Sequence, residues 1–341
     1  MKKSSRSLHS VLLVVLALAC GLAAPPMAAQ DTHVHGFTDL RFSSGDRDSS
    51  GFKLGQLAFF VTSELAPGFS FLAETVFEYD TDFVVDVERL SASYSVAPWL
   101  RFSVGKHHNP IGYWNAAYHH GTLLQPTIDR PIMFLFEDEG GVLPIHSIGL
   151  MASGRDISPF HVGYDVLLSN GLGATPAGDN DKNKALTLRV STQATSAFLV
   201  GASGYLDKVS PGVKSIGGNT LLEPVRISMA GAHAVYNGTY LEVRAEYQAM
   251  MAHSAGAATH QANLGYGYAG VHVREFTPYA RYDALDIGAG NPWLDVPAKH
   301  GLVGGLRYDA AATVALKGEY GFLRESGRTK NGLSMQLAVG F

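Results

Sequence analysis

Apolar and polar residues alternate along most of the chain, in segments of about ten residues bounded by Gly, Pro, Asn, Asp or Ser. Residues 241–246 read Leu-Glu-Val-Arg-Ala-Glu, and residues 186–191 read Leu-Thr-Leu-Arg-Val-Ser. Successive side chains of a strand point to opposite faces, so this pattern predicts strands with one apolar and one polar face. Helical periodicity is nearly absent after residue 30.

Sixteen such segments are present, an even number. Strands of this length with one apolar face are typical of a transmembrane antiparallel β-barrel, so the predicted fold class is an all-β barrel of about 16 strands. A soluble β-sandwich is the alternative, because its strands also alternate. The predicted strands cover residues 33–43, 51–65, 68–80, 83–96, 98–106, 144–154, 158–168, 184–194, 197–207, 223–236, 238–250, 259–272, 274–286, 300–310, 312–323 and 331–341.

The predicted connections alternate between short and long, with the tight turn at 81–82 as an exception. Short turns at one end and long loops at the other are the asymmetry of outer-membrane barrels. The short turns are Ala66-Pro67, Ala97-Pro98, 155–157, Thr195-Ser196, Asn237-Gly238, Val273 and Ala311. The longer connections are 44–50, 107–143, 169–183, 208–222, 251–258, 287–299 and 324–330.

The first 29 residues have the composition of an export signal. Three basic residues precede an apolar run at 11–24, and small residues end at Ala28-Ala29. We therefore predict a cleaved signal peptide at 1–29 and a barrel domain at 30–341. A lipid anchor at Cys20 is the alternative. Cleavage would remove this residue, the only cysteine, and leave a chain without disulfides.

Charge and hydropathy exclude two classes of protein. Loss of the three basic residues of the signal leaves 23 basic residues against 30 acidic ones, a formal charge of −7. Nucleic acid selects basic surfaces, so we expect no nucleic-acid partner. No apolar run after residue 30 approaches the roughly 20 residues of a spanning helix.

The last strand places its apolar residues on one face and ends in phenylalanine. This pattern resembles the C-terminal signal of Gram-negative outer-membrane proteins. The resemblance implies a location in the bacterial outer membrane, with membrane lipid as a partner. The apolar residues of this face are Leu333, Met335, Leu337, Val339 and Phe341.

The long 107–143 connection interrupts the alternation. A barrel of sixteen strands is too wide to be filled by its own side chains and leaves an aqueous channel. Long connections of this kind are usually functional or disordered, and the apolar content of this one argues against a solvated tip. The connection follows the fifth strand, which makes it the third outward loop when the tight turn at 81–82 is counted. In sixteen-stranded porins the third outward loop folds into the lumen, and this resemblance implies the same here. Candidate constriction residues are Lys106, His107, His108, Trp114, His119, His120, Arg130, Glu137, Asp138 and Glu139.

A short motif accompanies this connection. Gly105-Lys106, Pro110 and Gly112, followed by Arg130-Pro131, resemble the G-[KR]-x3-P-x-G stretch and downstream Arg-Pro pair of the phosphate-selective porin family (O and P type). The motif covers about a tenth of the chain. The resemblance implies a homotrimeric channel in which Lys and Arg form a ladder for anions.

The charges of the predicted inner wall depart from such a ladder, because basic and acidic residues are interleaved. One hypothesis is a transverse field between loop acids and wall arginines. The alternative is that the wall charges neutralise one another in pairs. Candidate wall residues are Arg101, Arg189, Arg226, Glu242, Arg244, Glu246, Arg281, Arg307, Lys317 and Glu319.

Histidines and aromatic residues each have two interpretations. Imidazole suits zinc, copper and nickel, but no Cys accompanies these histidines, and adjacent ones point to opposite faces of a strand. We therefore favour structural or pore-lining roles and expect neither metal nor cofactor. The aromatic residues could pack the loop against the wall, which we favour, or form a slide for solutes. The histidines are His33, His35, His107, His108, His119 and His120, and the aromatic residues are Tyr113, Trp114 and Tyr118.

No serine elbow or His-Glu-x-x-His motif is present, and turn chemistry explains Ser169-Asn170-Gly171 without catalysis. The sequence therefore predicts a non-enzymatic porin for passive diffusion of small hydrophilic solutes and ions. A channel specific for phosphate or an organic anion is the first alternative. A barrel-anchored enzyme and a surface adhesion protein remain open.

Overall fold

The computed structural model describes residues 31–46, 50–79, 83–118, 121–136, 139–174, 177–256 and 258–341. The predicted signal peptide lies outside the described residues. All sixteen predicted strands are present in one closed antiparallel barrel, in which each strand pairs with its neighbours in sequence and β1 pairs with β16. The strands are β1 Asp31–Gly45, β2 Gly51–Ala66, β3 Phe69–Tyr79, β4 Phe83–Ala97, β5 Leu100–His108, β6 His146–Ile157, β7 Val162–Asn170, β8 Lys184–Gln193, β9 Phe198–Val209, β10 Val225–Asn237, β11 Leu241–Ser254, β12 Thr259–Val271, β13 Phe276–Ile287, β14 Lys299–Ala311, β15 Val314–Glu325 and β16 Arg328–Gly340.

Alternation along the strands separates an apolar outer face from a polar inner one. In β16, Leu333, Met335 and Leu337 are exposed on the outside, whereas Gln336 and Ala338 are buried on the inside. A soluble sandwich would bury its apolar face, so the structure excludes that alternative. No helix among the described residues is long and apolar enough to cross a membrane.

The barrel closes where the two ends of the chain meet. The backbone N–H of Gly36 donates to the carbonyl of Phe341 at 2.8 Å, and the N–H of Phe341 donates back at 3.0 Å. The Phe341 ring packs on Phe59 of β2, with ring centroids 5.9 Å apart. The terminal phenylalanine therefore anchors the last strand beside the first two.

Connections are short at one end of the barrel, the short-turn end, and mostly longer at the other, the long-loop end. The prediction of a loop at 324–330 is wrong. β15 continues to Glu325 and β16 begins at Arg328, with only Ser326 and Gly327 between them. Both turn residues have positive φ, 50° and 75°, as the tightest hairpins require.

The long connection also begins later than predicted. β5 continues through His108, and its last two residues pair with Ser147 and His146 of β6. Lys106, His107 and His108 therefore belong to a strand and not to the loop. The connection is residues 109–145, hereafter the 109–145 segment.

The 109–145 segment contains α1 (Trp114–Ala117) and a 3-10 helix (Ile132–Phe134). Its apolar side chains and inward-facing residues of β9 to β14 form one buried cluster. Side chains from the connections between β9 and β10 and between β13 and β14, including Leu221 and Trp293, join this cluster near the long-loop end.

Candidate functional site

Two glycines of the sequence motif set the path of the chain where it leaves β5. Gly105 has φ +139°, and a Cβ there would lie 1.9 Å from the Leu90 carbonyl oxygen. Gly112 has φ +73°, and a Cβ there would lie 2.5 Å from the Glu246 carboxylate. Residues other than glycine rarely adopt positive φ, and a Cβ would clash at both positions, so both require glycine.

Two buried asparagines hold the ends of the 109–145 segment together. Asn109 donates from Nδ2 to the hydroxyls of Ser147 at 2.9 Å and Thr187 at 3.0 Å. Asn115 donates from Nδ2 to the carbonyls of Asn109 at 2.8 Å and Ile145 at 2.9 Å. No sequence pattern identifies these two residues, because Asn in a loop usually indicates a turn.

Glu246 of β11 holds the start of α1. One carboxylate oxygen accepts from the backbone N–H of Tyr113 at 2.5 Å, and the other accepts from Trp114 at 2.7 Å. The Tyr266 hydroxyl donates to the same carboxylate at 2.8 Å. This predicted wall residue therefore binds backbone of the segment.

Aromatic residues pack this part of the segment against the wall. Trp114 is fully buried, and its ring lies 5.6 Å from Tyr266 and 5.1 Å from Tyr118 between centroids. The Arg244 guanidinium lies over the Tyr118 ring at 5.4 Å. Burial raises the pKa of the Tyr113 hydroxyl, which stays neutral at ordinary pH. The burial of Trp114 agrees with a packing role, because no part of its ring is accessible to a solute.

Basic wall side chains bind carbonyl groups in the middle of the segment. A guanidinium or ammonium group that reaches a backbone carbonyl satisfies a buried acceptor that has no strand partner. The contacts include Arg281 to the Asp129 carbonyl at 2.5 Å, Arg307 to Gln125 at 2.9 Å, and Lys317 to Thr127 at 3.2 Å.

Acidic wall side chains bind N–H groups of the same region. Glu319 accepts from Ile128 at 2.7 Å, and Asp283 accepts from Ile132 at 3.3 Å. The wall charges also pair with one another: Arg244 with Glu242 at 2.9 Å, Arg281 with Asp283 at 2.9 Å, and Arg307 with Asp309 at 2.7 Å. This geometry agrees with mutual neutralisation within the wall. Glu137 and Asp138, which the transverse-field hypothesis needs, lie outside the described residues.

The prediction that Arg226 lines the inner wall is wrong, because its side chain faces outward. Its neighbours Val225 and Ile227 are buried in the apolar cluster under the connections of the long-loop end. The inner face is apolar here, so the rule that polar residues face the lumen fails at this position.

Lys106 and the strand histidines contact acidic residues of β3 and β4. Lys106 Nζ lies 3.6 Å from Asp86, and His108 Nε2 lies 3.4 Å from Glu74. His146, which no sequence pattern singles out, contacts Glu88. Among the described residues, no three His, Cys, Asp or Glu side chains could hold a metal ion together. His119 and His120 lie outside the described part of the chain.

The remaining candidates are divided between the two ends of the barrel. Arg101 donates to the Ser70 hydroxyl at 3.1 Å, and Arg189 pairs with Asp165 at 2.6 Å. The Arg130 guanidinium lies over the Phe136 ring at 3.6 Å, and Glu139 accepts from the Phe136 N–H at 3.2 Å.

Cavities lie along the described part of the barrel on both sides of the segment, and three of them have volumes of about 320 to 440 Å³. Two lie toward the long-loop end, with volumes of about 420 and 440 Å³, and share Glu78, Phe136 and Glu139 in their linings. The third, of about 320 Å³, lies toward the short-turn end, and we call it the short-turn chamber. Its lining includes Ala117 of the segment and the basic residues Arg155, His161, Arg189 and His233.

No protein-family model matches this chain, and no curated protein matches it. Several solved structures are similar to it over nearly its whole length. An anion-selective porin from Comamonas acidovorans has a TM-score of 0.67 at 13% identity, covering 92% of this chain and 100% of the porin. OmpT, an outer membrane protein of Vibrio cholerae in a trimer form, has a TM-score of 0.65 at 12% identity, covering 92% and 100%. OmpF of Salmonella typhi has a TM-score of 0.60 at 12% identity, covering 91% and 97%. The fold of this chain is therefore the sixteen-stranded barrel of outer-membrane porins.

Proposed function

We propose that the protein is a porin of the bacterial outer membrane, forming a water-filled channel for small hydrophilic solutes and ions. The barrel has an apolar outer face suited to lipid. Its interior holds charged and polar wall residues beside the apolar cluster, with cavities toward both ends. Solutes pass down their gradients, and no bond is made or broken. The similar porins support this proposal through their fold.

The 109–145 segment is the constriction of this channel in our proposal. The observation that carries it is the set of hydrogen bonds between inward-facing side chains of β8, β11, β13, β14 and β15 and the backbone of the segment. A segment held to several strands across the interior narrows the path between the two ends. Its stability as a barrier comes from buried charge-assisted hydrogen bonds, which are stronger than neutral ones.

A second candidate is a channel with a preference for anions, such as phosphate or an organic acid. The short-turn chamber favours it, because Arg155 and Arg189 share a single carboxylate, Asp165, with contacts of 2.7 and 2.6 Å. The two guanidinium groups therefore line the solute path, while Asp165 is buried and Asp156, the acidic residue of the lining, contacts His161. The arginines of the short-turn chamber, not a continuous ladder along the wall, would supply the preference.

Catalysis at Ser169 receives less support. Ser169 is buried, and its hydroxyl has no hydrogen-bond partner among the described residues, so no serine–histidine pair is formed there.

We propose a homotrimer, since the Vibrio cholerae protein of similar fold occurs in a trimer form.

Conductance of the purified protein in a planar bilayer tests the proposal. Stable open steps are expected, and the reversal potential in a KCl gradient separates the candidates. A reversal potential toward chloride supports the anion-preferring channel, and one near zero supports a general pore. Folded protein that gives no conductance would contradict the channel function.

A further inference from the structure

Three basic side chains form a row on the outer face of the barrel near the long-loop end. Arg226 of β10 is in register with Lys208 of β9 and with His253 of β11. The residues on either side of Lys208 and of Arg226 are buried, so these two side chains point away from the lumen. Adjacent strands lie about 4.8 Å apart, which puts the three within roughly 10 Å.

Lys208 and Arg226 of this row have no acidic partner among the described residues. Among the described residues, no carboxylate lies within ion-pairing distance of Lys208 or Arg226, and His253 contacts only the Thr259 hydroxyl, at 3.4 Å. Lys184 of β8, by contrast, is paired with Asp179. Like charges in neighbouring strands repel one another, so an external anion would stabilise the row.

A track of small side chains runs down β10 from this row. On the outward face, Ser228, Ala230, Ala232 and Ala234 follow Arg226 along about 26 Å of strand. Leu206 of β9 and Met251 of β11, 57% and 46% exposed, are in register with Ser228 on either side. Farther along, Ala230 lies between Gly204 and Ala249, so the result is a smooth apolar strip of small side chains that begins at the cations.

We propose that this surface binds a membrane lipid with a phosphate headgroup. The phosphate contacts Arg226 and Lys208, and one acyl chain lies along the track of β10. A planar guanidinium pairs well with phosphate oxygens, and an ammonium group supplies a second donor. Free phosphate fits less well, because screening weakens its attraction to exposed cations and it has no apolar part to lie on the strip. This inference requires only that the barrel lies in a membrane and does not depend on channel function.

Native mass spectrometry of the full-length detergent-solubilised protein provides the test. Phosphatidylglycerol, diacylglycerol with the same acyl chains, and inorganic phosphate are titrated separately. The proposal expects phosphatidylglycerol to bind, diacylglycerol to bind at least about tenfold more weakly, and inorganic phosphate not to bind at these concentrations. The double variant Lys208→Gln/Arg226→Gln should weaken phosphatidylglycerol binding about tenfold or more.

A charge-matched control separates this site from general attraction. Arg324→Gln/Arg328→Gln removes two exposed cations of β15 and β16 near the long-loop end, away from β9 and β10, and should leave binding within about twofold of wild type. Equal losses in both double variants, or equal binding of diacylglycerol, would overturn the proposal. Binding of inorganic phosphate that is lost in the first variant would assign the site to the free ion instead. An unchanged heat-dependent gel shift shows that each variant is folded, whether or not the protein conducts.

Discussion

At the residue scale, charged side chains of the wall act mainly as ligands for backbone. Glu246 is the clearest case, since it accepts two N–H donors and one hydroxyl while almost fully buried. Buried charges are costly unless hydrogen-bonded, which explains why these residues contact the segment and not water. Alternation indicated that Glu246 faces inward, but no sequence signal identified its partners.

Replacement of Glu246 by Ala should release the start of the segment. Three buried donors would lose their acceptor, which we expect to cost about 2–4 kcal/mol of unfolding free energy. Trp114 emission should shift to longer wavelength as the ring reaches water, and urea unfolding should occur at lower concentration. Glu223→Ala, at an exposed position, is the control. Wild-type emission and stability in Glu246→Ala would contradict the anchoring role.

Arg189 and Arg226 are a matched pair that tests the assignment of inner and outer faces. Arg189 lines the short-turn chamber, so Arg189→Gln should shift the reversal potential toward cation preference. Arg226→Gln should leave the reversal potential unchanged, because its side chain points outward. The measurement is bilayer recording across a KCl gradient, and equal shifts in both variants would refute the assignment.

At the element scale, strand positions follow from alternation, whereas the ends of several strands do not. All sixteen strands are predictable because a two-residue period with one apolar face is specific to strands that lie between an apolar and a polar environment. β5 and β15 run past their predicted ends, since histidine, lysine and arginine fit a strand as readily as a loop when each can pair across it. The sequence did not predict which face of β10 points inward, because the cluster that buries Val225 and Ile227 is formed by residues distant in sequence.

For the 109–145 segment, too, the sequence predicted some features and not others. Its length and apolar content indicated an ordered loop, and the glycines of the motif indicated special backbone. The partners of that backbone are side chains on β11 to β15, which no local pattern connects to it.

Gly112→Ala should destabilise the segment locally. A Cβ would meet the Glu246 carboxylate at 2.5 Å and the Phe134 ring at 2.7 Å, at a positive φ. We expect a loss of about 1–3 kcal/mol and a noisier single-channel current. Gly267→Ala is the control, because a Cβ there meets nothing within 4 Å and φ is ordinary. It should change stability by less than about 0.5 kcal/mol. Equal effects of the two substitutions would count against the proposed path of the segment.

At the scale of the whole molecule, the fold was predictable and its assembly was not. Alternation, the terminal phenylalanine and the pattern of loops predict a closed barrel. The residues of an interface between subunits do not recur at a fixed spacing, so the sequence does not reveal them. We expect a homotrimer in the membrane. Chemical cross-linking of intact membranes, followed by electrophoresis without heating, should give a band at three times the monomer mass. A monomer alone after efficient cross-linking would rule this assembly out.

The central claim is that the 109–145 segment lies in the path of ions. Ala117 of α1 is exposed and lines the short-turn chamber, whereas Ala92 of β4 is exposed on the outer face. The only natural cysteine, Cys20, falls in the predicted signal peptide, so an introduced cysteine would be the one thiol of the mature chain. Single-channel current is therefore recorded before and after full modification of Ala117→Cys by a charged methanethiosulfonate reagent. Our account predicts that the current falls for Ala117→Cys and stays constant for Ala92→Cys. An unchanged current through fully modified Ala117→Cys would contradict it.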